Sequence, residues 1–366
     1  MTLRPNRVLE NNSLAHADCF AVDAPTGEHC AVVVARLTWQ VSARGEARVA
    51  LEPRPIRLTT LWRGSPGGTV HFPSDRLTAK LGTDVLLLGS AYPPPRSQGS
   101  PAPTELDVRF RIETGTRTLA KKLRVFGHRV FMKKWTGVAP GPAGAILEPV
   151  PLVYEFAEGG VDPDAIASKR EHADNPVGVG YGSPAKLVGL EAYRIESLDG
   201  GAPAGFGPTT PQWPRRRALY GTTDDRYYRY RYPVAPADYD PRFTSDAHPE
   251  LWSQEPLLGD EPVEVVGATP EGTFRFRLPR YAPRFDVTLD GEERSFTTHL
   301  DTFLVDLTDP DDRVVELTWR VCVPLPQKSE RLGKIRVTNA SELPTSFYPE
   351  LRRRLDEHRH AKENLS

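Results

Sequence analysis

Apolar positions in this chain recur mostly at every second residue, in short runs cut apart by Pro, Gly and Asp. That is the period of a strand, whose side chains alternate between two faces. His29 to Val41 is dense in Val, Leu and Thr and follows the turn-forming Pro25-Thr26-Gly27, so it predicts a buried strand. Asp84 to Leu88 continues the pattern, and Asp107 to Glu113 puts Val108, Phe110 and Ile112 on one face. Lys122 to Met132 predicts a hairpin that turns at Gly127-His128, between Leu123-Arg124-Val125-Phe126 and Val130-Phe131-Met132. Strands return at Val263 to Val266, Thr273 to Leu278, Phe285 to Leu289 and Arg313 to Val323, with hairpin or turn chemistry at Asp290-Gly291 and Asp309-Pro310-Asp311-Asp312.

The predicted fold is therefore mainly β. Two antiparallel β-sandwich or meander lobes, residues 1–150 and 244–340, are joined by a Gly/Pro/aromatic loop block over 151–243, and the meander packs with the N-terminal lobe. The tail, 341–366, predicts a short C-terminal amphipathic helix. Over Pro344 to Lys362 the residues Phe347, Leu351 and Leu355 form a narrow apolar stripe at four-residue spacing, with Ser341 or Thr345 as cap, fit to dock on the chain's own domain or on a partner helix.

Composition narrows the function classes. With 366 residues, 39% hydrophobic, the chain can bury a large core. Its formal net charge of -1 supplies no electrostatic reason for a nucleic-acid partner or an anionic membrane. The 36 prolines exclude long helices and favour short strands between rigid loops. Three cysteines, Cys19, Cys30 and Cys322, leave at least one thiol unpaired and do not form a secreted disulfide framework. The start, Met1-Thr2-Leu3-Arg4-Pro5-Asn6-Arg7, has no apolar signal region, and no run of about 18 apolar residues suggests membrane insertion. A cytoplasmic location is expected.

Catalytic signatures are weak. The histidines form no HExxH pattern, and no GxSxG, phosphate-loop or dinucleotide glycine motif occurs, so no metal or cofactor is expected. Glu155, Glu158, Asp224 and Asp225 are the carboxylates a glycosidase would need across an aromatic cleft. The alternative is that Asp224 and Asp225 end a turn while Glu155 pairs with an arginine. Arg226-Tyr227-Tyr228-Arg229-Tyr230-Arg231-Tyr232 interleaves cations and rings, which predicts a strand with an aromatic face and a guanidinium face. Tyr, Trp and Arg are also favoured interface anchors. Trp213, Tyr228, Arg229, Tyr230, Arg231 and Tyr239 are the protein-binding candidates, with Trp213 expected also to pin loops to the sheets.

The loop block carries an ordered series of motifs: Tyr154-Glu155 with Gly159-Gly160, Asn175-Pro176-Val177-Gly178 with Gly180-Tyr181, Gly205-Phe206-Gly207-Pro208 with Trp213, Gly221-Thr222, and Asp238-Tyr239-Asp240 with Arg242-Phe243. Downstream follow Gly259-Asp260-Glu261, Pro270-Glu271-Gly272, Phe276-Arg277-Leu278-Pro279, Asp301-Thr302 and Leu317-Thr318-Trp319-Arg320. In that order, over roughly Asn11 to Val323, the sequence resembles the bacterial domain family of unknown function encoded beside type VI secretion effectors. The resemblance implies an adaptor or chaperone. Such a protein binds and stabilises a toxin effector and assists its loading on the VgrG or PAAR spike. On the residues alone, a carbohydrate-binding or carbohydrate-active protein with an aromatic cleft is the alternative. Tyr154, Glu155, Gly159, Gly160, Asn175, Pro176, Gly178, Tyr181, Gly205, Phe206, Gly207 and Pro208 are expected to shape and pin the loops.

Overall fold

The computed structural model describes residues 9–97, 99–115, 117–165, 170–325 and 332–340. The predicted C-terminal helix lies outside the described residues. Strand makes up 41% of the described residues and helix 8%, so the protein is mainly β. The largest sheet has seven strands. Trp252–Ser253, Thr83–Leu88, Leu300–Asp306, Val314–Pro324, His29–Val41 and His16–Asp23 lie side by side in that order, and Ala47–Val49 folds back onto His29–Val41. Most pairs are antiparallel, but Leu300–Asp306 runs parallel to Thr83–Leu88. Strands from both ends of the sequence thus share one sheet.

Two smaller sheets complete the inner layer. Five strands run in the order Ile195–Ser197, Thr118–Phe126, Glu105–Glu113, Pro262–Val266, Thr273–Arg277; four run in the order Leu9–Asn11, Leu332–Asn339, Pro283–Leu289, Glu292–Phe296. Strand alternation decides what each contributes to the core. Ala31, Val33, Ala35, Leu37 and Trp39 on one strand and Val315, Leu317 and Trp319 on its neighbour face inward, and they join one cluster with Val108, Phe110, Ile112, Phe285, Val287, Ile335 and Val337. Each Val, Leu, Ile or Phe among them contributes about 1.5–3 kcal/mol by leaving water. Asp290-Gly291 turns the hairpin between Pro283–Leu289 and Glu292–Phe296, with φ of 52° and 87°, the left-handed values that a two-residue turn of this kind needs.

The expected hairpin at Gly127-His128 does not form. Thr118–Phe126 pairs with Glu105–Glu113, while Phe131–Lys134 pairs with Gly137–Pro140 and turns at Trp135-Thr136. Gly127 marks a close approach instead: a Cβ there would lie 2.0 Å from the Gly144 carbonyl oxygen.

The other face of the seven-stranded sheet is buried as well, but between two small apolar clusters, Val32 and Val34 with Ile56 and Leu86, Leu88 and Leu304 with Phe72, it carries an ionic network. Arg36, Glu316, Arg320, Asp306 and Asp84 project from the sheet toward Arg54, Arg57, Asp75 and Lys80 of the segment that crosses it, and toward Arg216 and Asp246. Arg36 binds Asp75 through both carboxylate oxygens at 2.6 and 2.7 Å, and Arg57 binds Glu316 at 2.5 and 2.7 Å. Arg320 reaches Asp301 at 2.6 Å, and Lys80 bridges Asp84 and Asp246 at 2.6 and 2.8 Å. Burial alone would raise the Glu316 carboxyl, but Arg36 and then Arg57 and Arg54 overcome it and hold it down at about 2. Burial would likewise discharge Lys80, yet Asp246 and Asp84 outweigh it and keep its pKa above the ordinary lysine value. Six cations and six carboxylates balance in this layer. Such a network adds little over an apolar core, but losing one member strands its partner in low dielectric.

Candidate functional site

The loop block is built outward from two side chains. Tyr154 is buried and donates its hydroxyl hydrogen to the Gly207 carbonyl at 2.6 Å, and its ring meets Trp213 edge-on at 4.9 Å. Asn175 is fully buried and gives its amide hydrogens to the carbonyls of Tyr154 and Glu158, both at 2.9 Å. The two loops press together closely enough that only glycine fits at 159: φ is +152°, and a Cβ would sit 2.0 Å from the Asn175 carbonyl oxygen. Phe206 is buried against Phe110 with ring centres 6.2 Å apart, and Gly160, Gly205, Gly207 and Pro208 are buried too. Pro176, Gly178 and Tyr181 are half-buried, Tyr181 lying edge-on to His172. Among the described residues, Glu155 pairs with no arginine. It accepts hydrogen bonds from the Thr69 amide, at 2.6 Å, and from the Thr69 hydroxyl, tying the block to the segment over the ionic face.

A cleft of about 310 Å³ opens beside this anchor, walled by Trp213, Trp252, Leu219 and Ala247 and edged by Arg215, Arg216 and Arg242. Its cations are spoken for. Arg215 holds Asp174, Arg242 holds Asp240, and Arg216 binds Asp246 at 2.8 Å and the Thr209 carbonyl at 2.7 Å. Of the four carboxylates considered for sugar hydrolysis, Asp224 and Glu155 serve as a helix cap and a loop clasp, while Glu158 and Asp225 are exposed, Asp225 in the first turn of the helix that Asp224 caps. A larger open groove of about 820 Å³ runs along Arg44, Arg111, Glu264 and Arg275, where Arg275 and Glu264 again neutralise one another at 2.6 Å.

Under the cleft, His248 donates from Nε2 to the Ala202 carbonyl at 2.8 Å and accepts at Nδ1 from the Glu250 amide at 3.1 Å, which fixes the neutral tautomer. Burial, with the Lys121 charge beside it, holds this imidazole at about 4. An unfolded histidine titrates near 6.5, so between those values the unfolded chain binds a proton that the native state refuses. The stability His248 contributes is complete above about pH 6.5 and is expected to fall by about 1.4 kcal/mol per pH unit as pH drops toward 4. Denaturant midpoints at pH 7.5, 6 and 5 check this. The slope should be largely absent in His248→Gln, which keeps a donor for Ala202.

The Tyr/Arg segment is not a strand. Asp224 accepts the Tyr227 amide hydrogen at 2.8 Å and caps a helix over Asp225–Tyr230. A helical turn sends one ring inward and the others out. Tyr227 is buried, whereas Tyr228, Tyr230 and Tyr232 are 60%, 76% and 65% exposed, with Arg226, Arg229 and Arg231 exposed among them. Tyr227 stacks edge-on to Tyr228 at 5.0 Å and its hydroxyl meets that of Tyr220 at 3.5 Å; Tyr220 in turn meets Tyr239 at 6.0 Å and Phe243 at 5.2 Å. The result is a continuous ridge of rings running from the cleft edge to the helix.

Of the predicted contact residues, the structure gathers Tyr228, Arg229, Tyr230 and Arg231 on this ridge and joins Tyr239 to it, half-buried, through the rings. Trp213 does not belong to the exposed surface. It is 4% exposed, because Tyr154 covers it, and so acts as an anchor for the loops. Two residues escaped the sequence reading. Tyr232 completes the exposed ring group at 6.1 Å from Tyr228, and Trp135 stands fully exposed at a hairpin tip. The first lay within the alternating run; nothing around Trp135 marked it as a turn except Gly137.

Residues 26–320 match the model of a family described as "Uncharacterized protein conserved in bacteria (DUF2169)". No curated protein and no solved structure matches the chain.

Proposed function

The chain belongs to this conserved bacterial family, and from that premise we propose that it is a protein-binding adaptor, specifically a type VI secretion effector chaperone. In this reading it binds and stabilises a toxin effector and assists its loading on a VgrG or PAAR spike, in keeping with the motif order noted above. The observation that carries it is the exposed ridge of Tyr228, Tyr230 and Tyr232 with Arg229 and Arg231, presented on a capped helix and the turn that follows it. Rings and guanidinium groups held in place bind without first paying the entropy of ordering, and they are the side chains that dominate protein interfaces. Sugar binding in the cleft is the weaker reading, since stacking on a sugar needs an open ring face and, of the two tryptophans that wall it, Trp213 has none and Trp252 is half-buried.

Replacing Arg229 and Tyr230 together by alanine is expected to weaken binding of a toxin effector encoded by a neighbouring gene, the partner this reading requires, by about 2 kcal/mol or more, roughly thirtyfold. Both side chains are exposed, so the thermal midpoint should stay near that of the wild type. Calorimetric titration with purified toxin checks it. Unaltered affinity in the double variant removes the ridge from the interface, and a wild-type protein that binds neither toxin nor spike defeats the adaptor reading.

A further inference from the structure

Strand His16–Asp23 is the outer edge of the seven-stranded sheet, paired on one side to His29–Val41 through eight unbroken register positions. The backbone bonds of the central strand show which residues of the edge strand face outward. The amides of Leu325 and Val41 bond the carbonyls of His29 and Arg313, so odd residues of His29–Val41 face the strand Val314–Pro324; the Ala24 amide bonds the Glu28 carbonyl, so even residues face the edge strand. Register pairs even with even, His16 with Arg36 and Phe20 with Val32. Ala17, Cys19 and Ala21 therefore direct N–H and C=O away from the sheet. Among the described residues, the only bond to these groups is from the Cys19 amide to Asp18 Oδ1, at 2.7 Å.

Other edges are short or guarded. Glu292–Phe296 carries exposed Glu292, Glu293 and Arg294; Thr273–Arg277 is approached by Gly45, whose added Cβ would lie 2.1 Å from the Arg275 carbonyl; Leu9–Asn11, Ile195–Ser197 and Trp252–Ser253 have three residues or fewer. The edge His16–Asp23 has neither Pro nor Lys nor bulge, and its acidic residues are Asp18 and the end residue Asp23 rather than a run of charges like that of Glu292–Arg294.

We infer that this edge receives an added β-strand from the protein partner, an extended segment with alternating apolar residues and a Lys or Arg opposite Asp18. The partner's identity rests on the adaptor reading above. Three features define the occupant. Ala17 and Cys19 lie beside the main core, and Phe20 and Val22 pack with Ile56 on the other face, so both faces of an added strand would meet apolar surface. Ala17, Cys19 and Ala21 are small and leave room for larger neighbours. Asp18 has no cationic partner among the described residues and calls for one. A second copy fits less well: a two-fold pairing centred on Cys19 would set two Asp18 carboxylates diagonally, without compensation. The edge is also continuous with the ridge. Ala235 donates to the Pro25 carbonyl at 2.8 Å, and Val234 covers Gly27, at the turn that ends the edge strand.

Ala21→Pro tests the inference. It removes an outward N–H while every bond to His29–Val41 is made by even residues, and proline is tolerated at such edge positions. The variant is expected to keep the wild-type thermal midpoint within a few degrees and to lose at least tenfold in affinity for the purified toxin. Asp18→Lys, which keeps the backbone intact, should lose as much. In the wild-type complex the Ala17 and Ala21 amides should exchange hydrogen markedly more slowly than in the free protein. Wild-type binding that neither variant diminishes, or unchanged exchange at those amides, overturns strand addition and leaves the adaptor reading standing. Absence of toxin binding by the wild type overturns the adaptor reading and the inference with it. Should Ala21→Pro fail to fold, Asp18→Lys and the exchange measurement decide.

Discussion

Lys80→Met is expected to lower the folding stability by about 3–5 kcal/mol, the cost of leaving a buried charge without its partner. The Lys80 ammonium bonds Asp84 at 2.6 Å, Asp246 at 2.8 Å and the Thr302 hydroxyl at 3.0 Å, all within the buried ionic face. Methionine fills similar space but supplies no charge. Asp246 would retain Arg216 at 2.8 Å, so its loss is partial. Asp84 would retain only the Ser245 hydroxyl at 2.5 Å and the Asp246 amide at 2.7 Å, neither of which cancels its charge. The penalty therefore falls mainly on Asp84, and adding Asp84→Asn should recover part of it. Denaturant titration of the wild type and both variants measures the effect. A loss under about 1 kcal/mol, the level of an exposed pair, would mean that water reaches the network.

The inner half of the fold is legible because its sequence signal is local. His29–Val41 appears with the predicted bounds, and Pro262–Val266, Thr273–Arg277 and Pro283–Leu289 lie within one or two residues of theirs. The ionic half is not legible, because its signal is nonlocal. Arg36 and Glu316 occupy the positions where an alternating strand faces solvent, and nothing nearby reveals that Arg57 and Asp75 will cover them from another segment. The mistaken hairpin has a related cause. Glycine at 127 reads as a turn residue, whereas it serves a tertiary contact with the carbonyl of Gly144.

The candidate surface was legible in composition and misread in conformation. Alternating Tyr and Arg has the period of a strand, and a helix of Asp225–Tyr230 is too short for a 3.6-residue period to stand out against it. The deciding signal was Asp224, a good cap three residues before Tyr227. Read as a cap, it would have predicted Tyr227 inward and its neighbours outward. Trp213 shows the opposite limit: sequence identifies a large ring with anchoring power, but whether it anchors a partner or its own loops depends on Tyr154, which lies far away in sequence and 4.9 Å away in space.

Asn175→Asp is expected to cost about 3 kcal/mol or more and to expose the loop block to proteases between Gly159 and Trp213, because it reverses a buried donor. The native amide gives both hydrogens to the Tyr154 and Glu158 carbonyls, at 2.9 Å each. A carboxylate in the same place would oppose two carbonyl oxygens, and it would be charged at a fully buried position. Local rearrangement is restricted because the Gly160 amide bonds the Asn175 carbonyl at 2.8 Å and Gly159 packs directly on that backbone. The disturbance should travel toward the ridge by a short route. Arg215 ties its amide to the Ala173 carbonyl at 3.0 Å and its guanidinium to Asp174, and the helix Pro214–Ala218 that carries it ends just before Tyr220, the ring on which Tyr227, Tyr239 and Phe243 converge. Limited proteolysis with mass mapping, together with denaturant titration, measures both effects. Wild-type resistance in Asn175→Asp would mean that the two loops hold each other without this side chain, and that the ridge is supported from the sheet side alone.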